Sequence, residues 1–170
     1  MLDIIKLLVI DVDGVLTDGK LYYTEEGESF KIFDVKDGLG IRIANKIISI
    51  AIISGNTSPI IAKRASVLGI KHLFLGIEDK ALCLSSLCNQ LQFSKEQVAY
   101  IGDDLNDLVV SELVGIFACP NDAHSAVIAK SNYQLKANGG DGAVREFIDA
   151  MLEAKGVKAE FDKGIKISNV

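Results

Sequence analysis

Short apolar runs that stop at acidic or small polar residues, with helical stretches between them, set the limits on what this chain can become. Leu7-Leu8-Val9-Ile10 stops at Asp11, 47–53 stops at Ser54-Gly55-Asn56, and Val98-Ala99-Tyr100-Ile101 stops at Gly102-Asp103-Asp104. A short apolar run without polar alternation suits a strand covered on both faces, the environment of a parallel sheet. Further strands are expected at 72–75 and 115–118. Between them, Leu84, Leu87, Cys88 and Leu91 fall on one face of a predicted helix from Lys80 to Leu91, and Val144, Phe147, Ile148, Met151 and Leu152 do so over 143–154. Shorter helices are expected at 41–46, from a Thr57 cap with Pro59 in the first turn to Gly69, and at 106–114. The alternation predicts an α/β fold, a Rossmann-like parallel sheet with helices on both faces. One segment breaks the pattern: Leu21-Tyr22-Tyr23-Thr24, a turn at 25–28 and Ser29-Phe30-Lys31-Ile32-Phe33 read as a protruding β-hairpin.

At 170 residues the chain supports one core, placed at 1–154 with a polar, mobile tail at 155–170 in which Phe161, Ile165 and Ile167 offer an alternative docking role. Composition of 49% hydrophobic and 24% charged residues excludes a disordered chain, and a net charge of −5 leaves no electrostatic footprint for nucleic acid or an anionic membrane. The longest apolar runs fall well short of the roughly 20 residues of a membrane span. Met1-Leu2-Asp3-Ile4-Ile5-Lys6 lacks a basic leader and a cleavage site, so a cytoplasmic location is expected. Cys83, Cys88 and Cys119 form no CxxC and read as reduced thiols; His72 and His124 have no metal-spaced partner.

In an open α/β sheet, ligands bind at the carboxyl ends of the strands. Side-chain alternation lets Asp11 and Asp13 lean the same way while Val12 points to the core. Asp103, Asp104 and Asp107 crowd a second strand tip, with Asp104 and Asp107 three apart at a helix start. Carboxylates this close repel one another and call for a cation, and oxygen-only ligands point to magnesium. With the phosphate's charge screened, one carboxylate attacks phosphorus and a second protonates the leaving oxygen. Ser54 and Lys80 are the groups available to bind the transferring phosphoryl oxygens. A receiver-type phosphoacceptor fits less well, because its phosphorylated Asp would follow the third strand, where this chain has Gly76-Ile77-Glu78-Asp79.

Taken together, Asp11-Val12-Asp13-Gly14-Val15-Leu16-Thr17-Asp18-Gly19, Ser54-Gly55, Lys80 and Gly102-Asp103-Asp104-Leu105-Asn106-Asp107 resemble the four ordered motifs of the haloacid dehalogenase superfamily. No cap insertion separates them. Asp34-Val35-Lys36-Asp37-Gly38-Leu39-Gly40-Ile41-Arg42 and Gly139-Gly140-Asp141-Gly142-Ala143-Val144-Arg145-Glu146 are similar to the capless 3-deoxy-D-manno-octulosonate 8-phosphate phosphatases of lipopolysaccharide biosynthesis. The resemblance implies Asp11 as nucleophile, Asp13 as acid then base, and magnesium on Asp11, Asp103 and the Asp13 carbonyl, supported from behind by Asp104 and Asp107. It implies a sugar-acid phosphate as substrate, with Asp13, Asp34, Val35, Lys36, Asp37, Gly38, Arg42, Gly55, Asn56, Arg64 and Lys80 near it. It also implies a homotetramer in which each hairpin reaches a neighbour's active site. Asn56 departs from the Arg usual in octulosonate enzymes and from the Glu of enzymes acting on nine-carbon 9-phosphates. A nine-carbon ulosonic acid 9-phosphate and a catalytically idle assembly module are the alternatives.

Overall fold

The computed structural model describes residues 1–164. Six parallel strands form the main sheet among these residues: β1 (Leu7–Ile10), β4 (Ser49–Ile53), β5 (His72–Phe74), β6 (Val98–Ile101), β7 (Ile116–Cys119) and β8 (Tyr133–Gln134), in the order β5-β4-β1-β6-β7-β8. β2 (Tyr22–Thr24) and β3 (Gly27–Phe30) pair antiparallel as a separate hairpin, with Tyr22 and Phe30 stacked 4.5 Å apart.

Both faces of the sheet are covered, which is why its strands carry no polar alternation. Along β1, Leu8 and Ile10 face the cluster built on α1 (Val35–Ala44), α2 (Pro59–Leu68) and α5 (Ala143–Ala154), through Ile41, Ile61, Val144 and Phe147. Leu7 and Val9 face the opposite cluster, built on α3 (Lys80–Leu91), the 3-10 segment Leu105–Leu113 and α4 (Ser125–Lys130), through Leu84, Leu87, Val110 and Val127. β1 pairs with β4 in register Ile10 to Ile52 and with β6 in register Ile10 to Ile101. The chain therefore runs outward from β1 on one side and returns on the other, and the loops after β1, β4 and β6 part at the switch point where ligands bind.

The structure differs from the sequence expectations in several places. α1 starts at Val35, not residue 41, because Asp34 caps it by accepting the Asp37 N–H at 2.9 Å. Gly38 and Gly40 lie inside this helix; a Cβ on Gly40 would come within 2.9 Å of Arg145 Cδ, so the glycine admits close packing of α1 on α5. α2 is preceded by Ser58, not Thr57. The hairpin turn is tighter than expected, at Glu25-Glu26. α4 and the two-residue β8 had no sequence signal, being too short to show a period. In the C-terminal segment, α6 (Lys158–Asp162) forms where a mobile tail was expected, and Val157 and Phe161 pack against the core. Ile165 and Ile167 lie outside the described residues. No helix among the described residues is long and apolar enough to cross a membrane.

Candidate active site

The loops after β1, β4 and β6 enclose an open cleft of about 410 Å³. Asp11, Asp13, Gly19 and Leu21 line it from the first loop, Ser54, Gly55 and Asn56 from the second, and Asp103, Asp104 and Asn106 from the third. Asp11 continues the line of β1, its N–H bonded to Ile101 O at 3.0 Å, so the strand pairing itself places the side chain. Gly14 turns the loop back with φ +84°; a Cβ there would lie 1.9 Å from Asp103 Oδ2, so only glycine lets the two strand tips meet.

Asp11, Asp103 and Asp107 each present an oxygen within 4.8 Å of the others, but their roles differ. Asp107 is fully buried and fully engaged. Its Oδ1 takes the Lys80 ammonium at 2.7 Å and the Tyr100 hydroxyl at 2.7 Å, and its Oδ2 accepts the Asp103 N–H at 3.0 Å and the Asp104 N–H at 3.4 Å. Asp11 Oδ1 and Asp103 Oδ1 are buried without a hydrogen-bond partner. Burial, reinforced by Asp107, pushes the Asp11 carboxyl up to about 7 despite the opposing Lys80 charge. Burial, then Asp11, Asp107 and Asp104, pushes Asp103 up to about 8. Two acids that each keep a buried oxygen open, and that present oxygens within 4.8 Å of one another, form a donor set for a hard divalent cation, which would relieve their repulsion.

Lys80 was expected in the cleft as a phosphate ligand. It instead lies beneath it, 1% exposed, with Nζ 3.1 Å from Asp11 Oδ2 and bonded to Asp107. Burial works against the ammonium, but Asp11 and Asp107 outweigh it and hold its pKa above the ordinary lysine value. The contact fixes the Asp11 carboxylate from below. Ser54 is buried at the cleft wall, and its Oγ accepts the Asn56 N–H at 3.2 Å. Asp104 caps the 3-10 segment, accepting the Leu105 N–H at 2.7 Å.

Asp13 has both oxygens engaged, by Lys31 Nζ at 2.6 Å and Asn56 Nδ2 at 2.8 Å. Lys31 was not anticipated, nor was Tyr100. Their signals are a lone cation among Phe30, Ile32 and Phe33, and a lone hydroxyl in an otherwise apolar strand.

The residues expected near the sugar divide. Gly55 and Asn56 line the cleft; Asp34, Val35, Lys36, Asp37, Gly38, Arg42 and Arg64 do not. Asp37 and Gly38 are buried, and Asp37 Oδ1 accepts the Arg145 N–H at 2.7 Å in the first turn of α5. Arg64 lies over the Phe33 ring at 5.5 Å and donates to Asp34 O at 3.4 Å, with Nε buried and unpartnered.

The family model of haloacid dehalogenase-like hydrolases matches residues 69–148. The 3-deoxy-D-manno-octulosonate 8-phosphate phosphatase KdsC of Escherichia coli K12 is 44% identical over 164 residues, 96% of this chain and 87% of the relative. The cobalt-bound deoxy-D-mannose-octulosonate 8-phosphate phosphatase from Haemophilus influenzae superposes with a TM-score of 0.91 at 42% identity, covering 95% of each chain. The Moraxella catarrhalis 3-deoxy-D-manno-octulosonate 8-phosphate phosphatase, in complex with magnesium, phosphate and KDO, superposes at 0.91 with 37% identity, covering 95% of this chain and 94% of that one.

Proposed function

The chain belongs to the haloacid dehalogenase-like hydrolases, among the 3-deoxy-D-manno-octulosonate 8-phosphate phosphatases, and from that membership we propose that it hydrolyses this sugar-acid phosphate to the free sugar acid and phosphate. The observation that carries the reading is the pair of buried, unpartnered oxygens, Asp11 Oδ1 and Asp103 Oδ1, at one strand-tip cleft. Asp11, Asp103 and the Asp13 carbonyl would hold magnesium, whose charge screens the phosphate dianion from an approaching carboxylate. Asp104 and Asp107 support that set from behind.

Asp11 is the nucleophile: a carboxylate oxygen forms the new bond to phosphorus while the bond to the sugar oxygen breaks and its electron pair leaves with that oxygen. The Asp13 carboxyl gives its proton to the leaving oxygen. Asp13, now a carboxylate, takes a proton from the water that attacks the aspartyl phosphate, and the electron pair of the breaking P–O bond returns to Asp11. Ser54 binds a phosphoryl oxygen at the cleft wall. Lys80 keeps Asp11 aimed. Gly55 and Asn56 flank the entering substrate, and for the sugar-acid carboxylate we assign Arg64, whose Nε is unpartnered, with Asp34, Val35 and Lys36 at the start of α1 and Arg42 in its last turn.

The hairpin exposes Tyr23 and Phe30, with Leu21 and Ile32 flanking it, an apolar surface that supports the homotetramer; the enzyme is assigned to the cytoplasm. The test is phosphate release from a panel of ulosonic acid phosphates, with magnesium or with EDTA. Metal-dependent turnover highest for the eight-carbon 8-phosphate is expected. A much higher kcat/KM for a nine-carbon 9-phosphate overturns the substrate, and no metal-dependent release from any member overturns the enzyme.

A further inference from the structure

Asp13 sits in a network of polar contacts in which Lys31, Glu28 and Ser58 are left unused by the reaction described above. Lys31 Nζ holds Asp13 Oδ1 at 2.6 Å, and Asn56 Nδ2 donates to Asp13 Oδ2 at 2.8 Å. The Asn56 amide is itself fixed, because its Oδ1 accepts the Ser58 N–H at 2.8 Å. Glu28 Oε1 lies 2.7 Å from Lys31 Nζ, so the ammonium is shared between two carboxylates. The network joins three segments: the hairpin, the loop after β1 and the loop after β4.

Its composition is costly for a purely structural device. The Lys31 side chain is 1% exposed, so an ammonium has been taken out of water at the foot of a hairpin that is otherwise largely solvated. Asp13, by contrast, is 28% exposed on a loop and would rotate freely without partners. A general acid and base must hold its oxygen within hydrogen-bond reach of first the leaving oxygen and then a water, and a displacement of about 1 Å costs orders of magnitude in rate. Each Asp13 oxygen accepts one bond and keeps a second lone pair for the exchanging proton, and Glu28 gives Lys31 a second carboxylate that steadies the ammonium.

We propose that Lys31 and Asn56 are positioning residues for the two proton transfers of Asp13, Lys31 anchored by Glu28 and Asn56 by the Ser58 N–H, so that the hairpin sets the aim of the acid–base group. The inference rests on the phosphatase reading and deepens it.

Lys31→Met and Asn56→Ala test it with two substrates. The sugar-acid 8-phosphate has an alkoxide leaving group that needs a proton; p-nitrophenyl phosphate has one that does not. Lys31→Met is expected to lower kcat on the sugar phosphate about 100-fold with KM within about threefold, the range of general acid–base contributions. Single-turnover release of p-nitrophenol, with enzyme in excess, should stay within about threefold of the unsubstituted protein. Asn56→Ala should lower kcat on the sugar phosphate about 10-fold more than it lowers p-nitrophenol release, and Lys31→Arg should recover most of the activity. Equal losses on both substrates, no loss on the sugar phosphate, or a change confined to KM overturns the proposal. If circular dichroism shows Lys31→Met unfolded, Asn56→Ala decides by the same criteria. Unsubstituted protein without magnesium-dependent turnover contradicts the phosphatase reading and the inference with it; active unsubstituted protein beside indifferent variants contradicts the inference alone.

Discussion

Among the described residues, two regions hold an aspartate with a buried, unpartnered oxygen, and only one of the two opens to a cleft. At the strand tips, Asp11 and Asp103 each leave Oδ1 open, and both face the cleft between β1 and β6. At the seam between α1 and α5, Asp37 leaves Oδ2 open, but its other oxygen accepts the Arg145 N–H and its carboxyl, pushed by burial up to about 6, lies under the surface. A raised pKa and an open buried oxygen thus do not identify chemistry. What distinguishes the strand tips is convergence: two open acids from different loops, a third acid and a lysine holding them from behind, and a way in from solvent.

The sharpest way to break this contrast is to remove one carboxylate from each region. Asp11→Asn should lower turnover about 10⁴-fold or more, since the proposed reaction places the phosphoryl group on the Asp11 carboxylate, while the metal-free fold gains stability from lost repulsion. Phosphate-release kinetics and thermal melts read the two effects separately.

An intermediate effect concerns pH. Asp11 and Asp103 stand at about 7 and about 8 against an ordinary 3.8, so between about pH 4 and pH 8 the folded chain binds more protons than the unfolded one. Metal-free stability should therefore be fullest at the acid end of that window and fall as pH rises through it. Magnesium takes the place of the protons, so its stabilisation should be larger at pH 8.5 than at pH 6. At about 100-fold excess over its dissociation constant it amounts to about 3 kcal/mol, or roughly 5–10 °C in Tm. Differential scanning fluorimetry at the two pH values, with and without magnesium, measures it; an ion effect equal at both pH values would break the contrast.

The smallest effect on turnover belongs to the seam. Asp37→Ala loses the acceptor for the Arg145 N–H and should cost about 1–3 kcal/mol of stability, read in urea melts, while kcat and KM stay within about threefold. A large rise in KM would return Asp37 to the substrate.

Much of this architecture was legible because its physics is local. Strands buried on both faces show as unbroken apolar runs, and α5 shows its one apolar face at Val144, Phe147, Ile148 and Met151. The site was legible where it depends on chain position, since Asp11, Ser54 and Asp103 each directly or nearly follow a strand. What stayed hidden depends on side chains meeting from distant segments. Nothing local marks Asp107 as the residue that binds Lys80 and Tyr100, or Asp37 as a cap for a helix 108 residues away. Lys31 was hidden for the same reason: its partner Asp13 is 18 residues earlier, across the hairpin. The early start of α1 was masked by Gly38 and Gly40, whose low helix propensity is overridden by packing on α5.

The proposed catalysis depends most directly on one arrangement, in which Asp11 and Asp103 share an ion while Asp11 carries the phosphoryl group. A crystal structure grown with magnesium and beryllium fluoride measures it in one experiment. The expected result is a beryllofluoride group on an Asp11 oxygen and a metal about 2.1 Å from carboxylate oxygens of both Asp11 and Asp103. Beryllofluoride on another residue, or a metal bound away from either aspartate, would contradict it.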